Sequence, residues 1–158
     1  MKLKTVNHIQ LEIVTVIDTP SHLEKEEIAS FIFNNQKEIK ESKEDVFRCI
    51  EFAFGQFKHS GGFVVLARDT QKMNNPVVGC AVVNQTTMVG YVSENILVYL
   101  TTHGDYKERE INKSLLEQTL HFAKGNIDVL VNLNNENKSL LSEYGFTHSY
   151  HLYRINRN

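Results

Sequence analysis

Between Asn95 and Phe146 the hydrophobic period of the chain switches back and forth between that of a strand and that of a helix, and this order of switches restricts the fold more than any other feature. Ile96-Leu97-Val98-Tyr99-Leu100-Thr101-Thr102 is a β-branched and aromatic run that reads as a strand. From Glu110 the period becomes helical: Ile111, Leu115, Leu116, Thr119, Phe122 and Ala123 share one face, while Lys113, Glu117, Gln118 and His121 lie mostly on the other. Lys124-Gly125-Asn126 is a C-terminal stop. Ile127 to Leu133 reads as a second buried strand, Asn135 to about Tyr144 as a short helix stopped by Gly145, and Phe146 to Ile155 as a terminal strand.

The first half supplies the other elements. Gln10 to Asp18 is apolar on both faces of a period-two pattern, as in a strand covered from both sides. Asp18-Thr19-Pro20-Ser21 is a turn and N-cap cluster, and Leu23 to Ile32 follows as an amphipathic helix with acidic residues near its start. Ser42 caps a second helix, Lys43 to about Lys58, whose apolar stripe includes Val46, Phe47, Ile50, Phe54 and Phe57. Gly61-Gly62 ends it, and strands follow over Phe63 to Arg68 and Val77 to Val83, the latter opening on Pro76, where a missing N–H is tolerated. The order β-α-α-β-β-β-α-β-α-β predicts an α/β architecture: a mixed, largely antiparallel sheet of about six or seven strands flanked by four helices.

Composition bounds the partners. With 158 residues, 41% hydrophobic and 23% charged, the whole chain 1–158 reads as one globular domain. A net charge of -2 gives no long-range field to draw nucleic acid or an anionic membrane, so neither is an expected partner. Cys49 and Cys80 sit in apolar patterns and read as buried thiols, with no disulfide framework. Polar residues interrupt any leader-like run at the start and no segment is long enough to span a bilayer, so a cytoplasmic protein is expected. No metal is expected, since the seven histidines lack ligand spacing; His148 and His151 are predicted on opposite faces of a strand. There is no G-x-S-x-G, no P-loop and no G-x-G-x-x-G. Pairing with a second copy, as a homodimer, is left open.

Two segments carry a resemblance. Leu100-Thr101-Thr102-His103-Gly104-Asp105-Tyr106-Lys107 is similar to the strand end and lead-in of the GCN5-related N-acetyltransferase (GNAT) superfamily, whose next turn reads R/Q-x-x-G-x-G/A. Here Lys107 falls on the Arg/Gln position, Glu110 on the first glycine, and Asn112 on the second glycine or alanine. Asn134 to Phe146 resembles N-x-x-A-x-x-L-Y-x-x-x-G-F, with Asn134, Leu140, Gly145 and Phe146 matching and Leu141 in place of the tyrosine that protonates the departing thiolate. The resemblance implies a GNAT-like sheet and acetyl-CoA as co-substrate. It places Leu100, Thr101 and Thr102 on the pantetheine arm, and Lys107, Arg109, Ile111, Asn112 and Lys113 at the diphosphate. Asn134 would face the CoA arm.

A diphosphate needs free N–H groups at a helix N-terminus, approached closely. A Glu110 carboxylate about 5 Å from one phosphate charge would oppose that by roughly 3 kcal/mol at an effective dielectric near 20. Acyl transfer also needs a group to take the proton of an ammonium. Glu94 is the first candidate and Tyr99 the next, with Tyr144 a substitute acid for the missing tyrosine. The expected activity is N-acetylation of an amine, on a small molecule or a peptide, by direct attack in a ternary complex. The alternative is a fold relative that has lost catalysis and binds a partner or another ligand.

Overall fold

The computed structural model describes residues 1–37, 40–130 and 137–157, with the side chains of 2–6 and 107–109 outside the description. Among the described residues six strands form one sheet in sequence order: β1 (Lys2–Val6), β2 (Ile9–Thr15), β3 (Gly62–Asp69), β4 (Val77–Gln85), β5 (Asn95–Thr102) and β6 (Ile127–Val129). Neighbours run antiparallel except β5 and β6, which are parallel. The helices are α1 (His22–Asn35), α2 (Lys43–Ala53), α3 (Ile111–Phe122) and α4 (Lys138–Glu143). The α/β class, the mixed and largely antiparallel sheet and the four helices agree with the sequence pattern. Among the described residues no helix is long and apolar enough to cross a membrane.

The central strands are apolar on both faces because each face has its own cover. One core joins Ile9, Leu11 and Ile13 of β2, Phe63, Val65 and Ala67 of β3 and Ala81 and Val83 of β4 to Ile111, Leu115 and Leu116 of α3 and Leu141 of α4. The other joins Val64, Leu66, Cys80 and Val82 to Ile28 and Ile32 of α1 and Val46 and Ile50 of α2. Both N-terminal helices start on capping boxes. Ser21 Oγ accepts from Glu24 N while Glu24 accepts from Ser21 N, and Ser42 and Asp45 repeat the arrangement.

Several boundaries differ from the sequence pattern. The strand read over Gln10 to Asp18 ends at Thr15, where Val16–Asp18 turn into a 3-10 helix and leave Val16 and Ile17 exposed. The second helix stops at Ala53, because Phe54 caps it and Gly55 takes φ 70°, which strands Phe57 outside the core. β1 has no counterpart in the sequence reading. Phe146 to Ile155 is not a strand: Tyr150, Leu152, Tyr153 and Ile155 lie exposed with no sheet pairing, and the His148 and His151 rings, predicted apart, meet edge to face at 4.7 Å. The sixth strand is described only to Val129, and Leu133 falls outside the described residues. Cys49 and Cys80 are free thiols, both pushed upward in pKa by burial, Cys49 to about 11.

Gly79 sets how closely α3 rides on the sheet. A Cβ there would stand 2.7 Å from Ile111 Cγ2 and 3.0 Å from Leu115 Cδ1. Gly79→Ala must therefore lift the start of α3, at a cost of about 1–3 kcal/mol. A lower urea midpoint at unchanged slope is the expected result; an unchanged midpoint would mean that α3 has slack against β4.

Candidate functional site

Where β5 lies against β4, Tyr99 faces Val82 but Leu97 faces Val83, so Val98 is one residue in excess. This β-bulge inverts the alternation of side chains. Leu97 belongs to the core under α3, Val98 and Tyr99 to the core under α1 and α2, and Leu100 returns to the α3 side. The strand's other edge changes at the same place. β6 pairs with β5 from Asn95 opposite Ile127 to Leu97 opposite Val129, and the ladder ends there among the described residues. The last tie is Leu130 N donating to Leu97 O at 3.4 Å.

Beside this point is a small gap, a cleft lined among the described residues from both faces of the sheet. Gln36, at the end of α1, and Val98 line it on one face; Leu100, Asn137 and Leu141 line it on the other, with Leu97, Val129 and Leu130 completing the wall. None of these lining residues is titratable.

Polar contacts continue the alternation set by the bulge. Thr101 Oγ1 donates to Gln36 Oε1 on the α1 side. Thr102 Oγ1 donates to Asn112 Oδ1 in the first turn of α3. Asn112 Nδ2 donates to Asn137 Oδ1 at 2.8 Å, and Asn137 Nδ2 donates to Leu100 O at 3.1 Å. The backbone carbonyl of Leu100 therefore points into the gap and meets a side chain there.

The end of β5 leads directly to the N-terminus of α3. Gly104–Arg109 form a 3-10 turn, and Glu110 follows at φ 54° and ψ 29°, in the left-handed region, without a side-chain cap bond to the helix. The turn is anchored by His103 N donating to Val78 O at 2.9 Å and by buried Tyr106, whose hydroxyl donates to Asp69 Oδ2 at 2.6 Å. Glu110 is thus the glycine position of the expected motif in backbone shape as well as in alignment, with a side chain where glycine carries none.

The sequence-predicted residues divide into groups. Leu100, Thr102, Ile111, Asn112 and Lys113 come together at the end of β5 and the start of α3. Ile111 offers only its backbone there, since its side chain is buried in the core, and Lys113 Nζ lies 3.6 Å from Glu143 Oε1. Thr101 turns to the opposite face. Lys107 and Arg109 belong to the 3-10 turn, with side chains outside the description, and Asn134 lies outside the described residues.

The three acid–base candidates are not brought into the cleft. Glu94 precedes β5 at its far end and accepts from Asn126 N at 2.8 Å, packed over Gly125. Five residues of strand lie between it and Leu100, a distance of about 20 Å. Tyr99 is buried in the core under α1 and α2, because the bulge turns it away from Leu100, and burial raises its pKa. Tyr144 donates to Glu117 Oε1 at 2.5 Å across α3, and that bond pushes its pKa up to about 12. Sequence reasoning missed Gln36, Val98 and Asn137. For Asn137 a signal existed: it stands at the alanine of N-x-x-A, so the chain carries asparagine at two positions where the motif is small.

No family model matches the sequence, and no curated protein matches it. Solved structures match its fold. An aminoglycoside N-acetyltransferase in complex with CoA superposes at a TM-score of 0.64 with 11% identity, over 98% of this chain and 98% of that one. A ribosomal-protein-alanine N-acetyltransferase from Brucella melitensis biovar Abortus 2308 gives 0.59 at 11% identity, over 94% and 99%. A transcriptional regulator from Bacillus halodurans C-125 gives 0.62 at 15% identity, over 93% and 99%. The chain has the fold of the GNAT acetyltransferases. At these identities the likeness is one of fold, and the chemistry has to be argued from the cleft.

The left-handed Glu110 gives a direct test of the turn. Holding a side chain in that region costs about 1–2 kcal/mol, against which glycine loses roughly 0.5–1 kcal/mol more backbone entropy on folding. Glu110→Gly should raise stability by about 0.5–1 kcal/mol, read as a higher urea midpoint; a loss of stability would mean that the Glu110 side chain holds the turn.

Proposed function

We propose that the chain is an N-acyltransferase that takes its acyl group from acetyl-CoA and passes it to an amine. One observation carries this reading: among the described residues the parallel ladder of β5 and β6 ends just before the Val98 bulge, beside a cleft lined from both faces of the sheet, and β5 leads on to the N-terminus of a twelve-residue helix. Such a cleft suits a long donor on the α3 and α4 face and an acceptor on the face of α1, with the reacting atoms between them.

The residues present fit the donor in kind. Leu100 and Thr102 lie two apart on the strand and share the edge that faces the gap, as an extended, amide-bearing arm requires. The first turn of α3 suits a diphosphate through its backbone N–H groups and the positive end of its dipole. Lys113 adds charge once it leaves Glu143, a half-exposed partner pair worth less than about 1 kcal/mol. The thioester then lies near Leu97, Val129 and Leu130.

In the reaction the neutral amine nitrogen attacks the thioester carbonyl carbon, the new C–N bond forms as the C–S bond breaks, and sulfur leaves as thiolate. The ammonium proton passes to water, since no described residue lining the cleft accepts it. Leu141 donates nothing to the thiolate, and the Tyr144 proton is committed to Glu117. The low basicity of a thiol, with a reference pKa near 8.5, lets it depart without an acid. What the cleft contributes is alignment.

Calorimetric titration of acetyl-CoA should give a dissociation constant in the low micromolar range, about -8 kcal/mol. Binding only at millimolar concentration would favour the second reading, a fold relative that serves another ligand or a partner. The contacts of Asn137 with Leu100 and of Glu143 with Lys113 speak for that reading, since the chain's own side chains occupy two places the donor needs.

The pH dependence follows from the cleft. With no titrating base among the described lining residues, kcat/KM for a given acceptor should rise with pH as that amine loses its proton and then level off, near pH 10 for a lysine-like amine. The midpoint should move when the acceptor is exchanged for a less basic amine. A midpoint that stays fixed across acceptors would place a general base in the enzyme.

A further inference from the structure

Asn137 does to Leu100 what an amide of a bound ligand would do. Its side chain lines the cleft, is 7% exposed, and presents Nδ2–H to the carbonyl that β5 turns into the gap. Its Oδ1 accepts from Asn112 Nδ2, and Asn112 Oδ1 accepts from Thr102 Oγ1, the next residue on the same edge. The carboxamide is therefore held at both ends, donor and acceptor, as a peptide group is held when a further strand adds to a sheet edge. Residues with small side chains at 112 and 137 would leave this space open.

We propose that Asn137, steadied by Asn112, is the placeholder of the donor subsite: a carboxamide that occupies the seat of the donor arm's amide and turns away when an amide-bearing acyl thioester binds. The proposal rests on the acyl-CoA reading above and adds to it the residue pair that sets donor affinity and selects an arm carrying amides. On binding, the Asn137 to Leu100 hydrogen bond breaks and an arm N–H replaces it on the same carbonyl, so the strand edge stays satisfied in both states. The donor competes with the protein's own amide, which lowers its apparent affinity.

The test is calorimetric titration of acetyl-CoA and of S-acetylpantetheine, which has the amides without the diphosphate, into wild type, Asn137→Ala and Asn137→Ser. The serine variant keeps a polar side chain too short to reach Leu100, and thermal melts establish that the variants are folded. With the seat empty, both ligands should bind about tenfold more tightly, by the same factor, because the gain is local to the arm. Binding by the variants alone would support the proposal still more strongly. Wild-type binding with an equal or weaker affinity in both variants would overturn the placeholder and leave the acyltransferase reading intact. A gain for acetyl-CoA without one for S-acetylpantetheine would also overturn it, since the effect would then belong to the diphosphate. No binding by any of the three proteins would overturn the acyltransferase reading, and the placeholder with it.

Discussion

The extra residue at Val98 decides where the rest of this half of the molecule goes. Strict alternation along β5 would place Leu97 and Tyr99 together under α3 and send Leu100 to the opposite core. The bulge keeps Leu97 and Leu100 on the α3 side and hands Tyr99 to the core of α1 and α2. It also determines that Thr101 meets Gln36 while Thr102 meets Asn112, on opposite faces of the sheet. Among the described residues, parallel pairing with β6 reaches only the residue before it. One insertion thus produces the change of parity, and among the described residues the ladder with β6 ends beside it.

Charge around that cleft is arranged less adversely than the residue types suggest. Glu110 was the expected obstacle to an anion, yet it stands exposed at the corner between the 3-10 turn and α3, where water screens it. Lys113 and Glu143 form a pair with substantial exposure on both sides, and such pairs part at little cost. The deeper obstacle is neutral. Asn137 is buried and bonded at both ends of its carboxamide, and a buried polar group yields its partners only when others replace them.

Local features of the chain are legible because their physics is local. Ser21 and Ser42 announce their helices, and each has its carboxylate three residues on. The apolar faces of α2 and α3 follow the 3.6 period, whereas α1 buries Lys25 and leaves Leu23 exposed, and Val77 to Val83 is apolar on both sides because both sides are covered. The bulge is not legible, since it exists only in the register of β5 against β4. Nor is the fate of Phe146 to Ile155, whose composition suits a strand but whose pairing depends on an edge elsewhere. The site inherits both limits. Glu94, Tyr99 and Tyr144 are near the motif strand and helix in sequence, but the fold sends one to the far end of β5, one into the other core and one to Glu117 of α3. Leu100, Thr102 and Asn112 are legible because a strand end and the next helix start must be neighbours.

Leucine in place of tyrosine at 141 weighs little against the proposed transfer once the sizes of the effects are compared. A positioned acid or base contributes about 10²–10⁴-fold, whereas alignment of two reactants reaches effective molarities of about 10⁵–10⁸ M. Leu141 removes a contribution of the first kind. The second depends on the rigidity of the walls, and here these are β5, fixed on one side by β4, and α3, seated on Gly79 and joined to the strand through Thr102 and Asn112. A thiolate needs little help to leave and an amine above its own pKa needs none to attack. For the proposed transfer, the architecture is therefore the part that would supply the larger share of the rate, and the side chain missing at Leu141 belongs to the smaller.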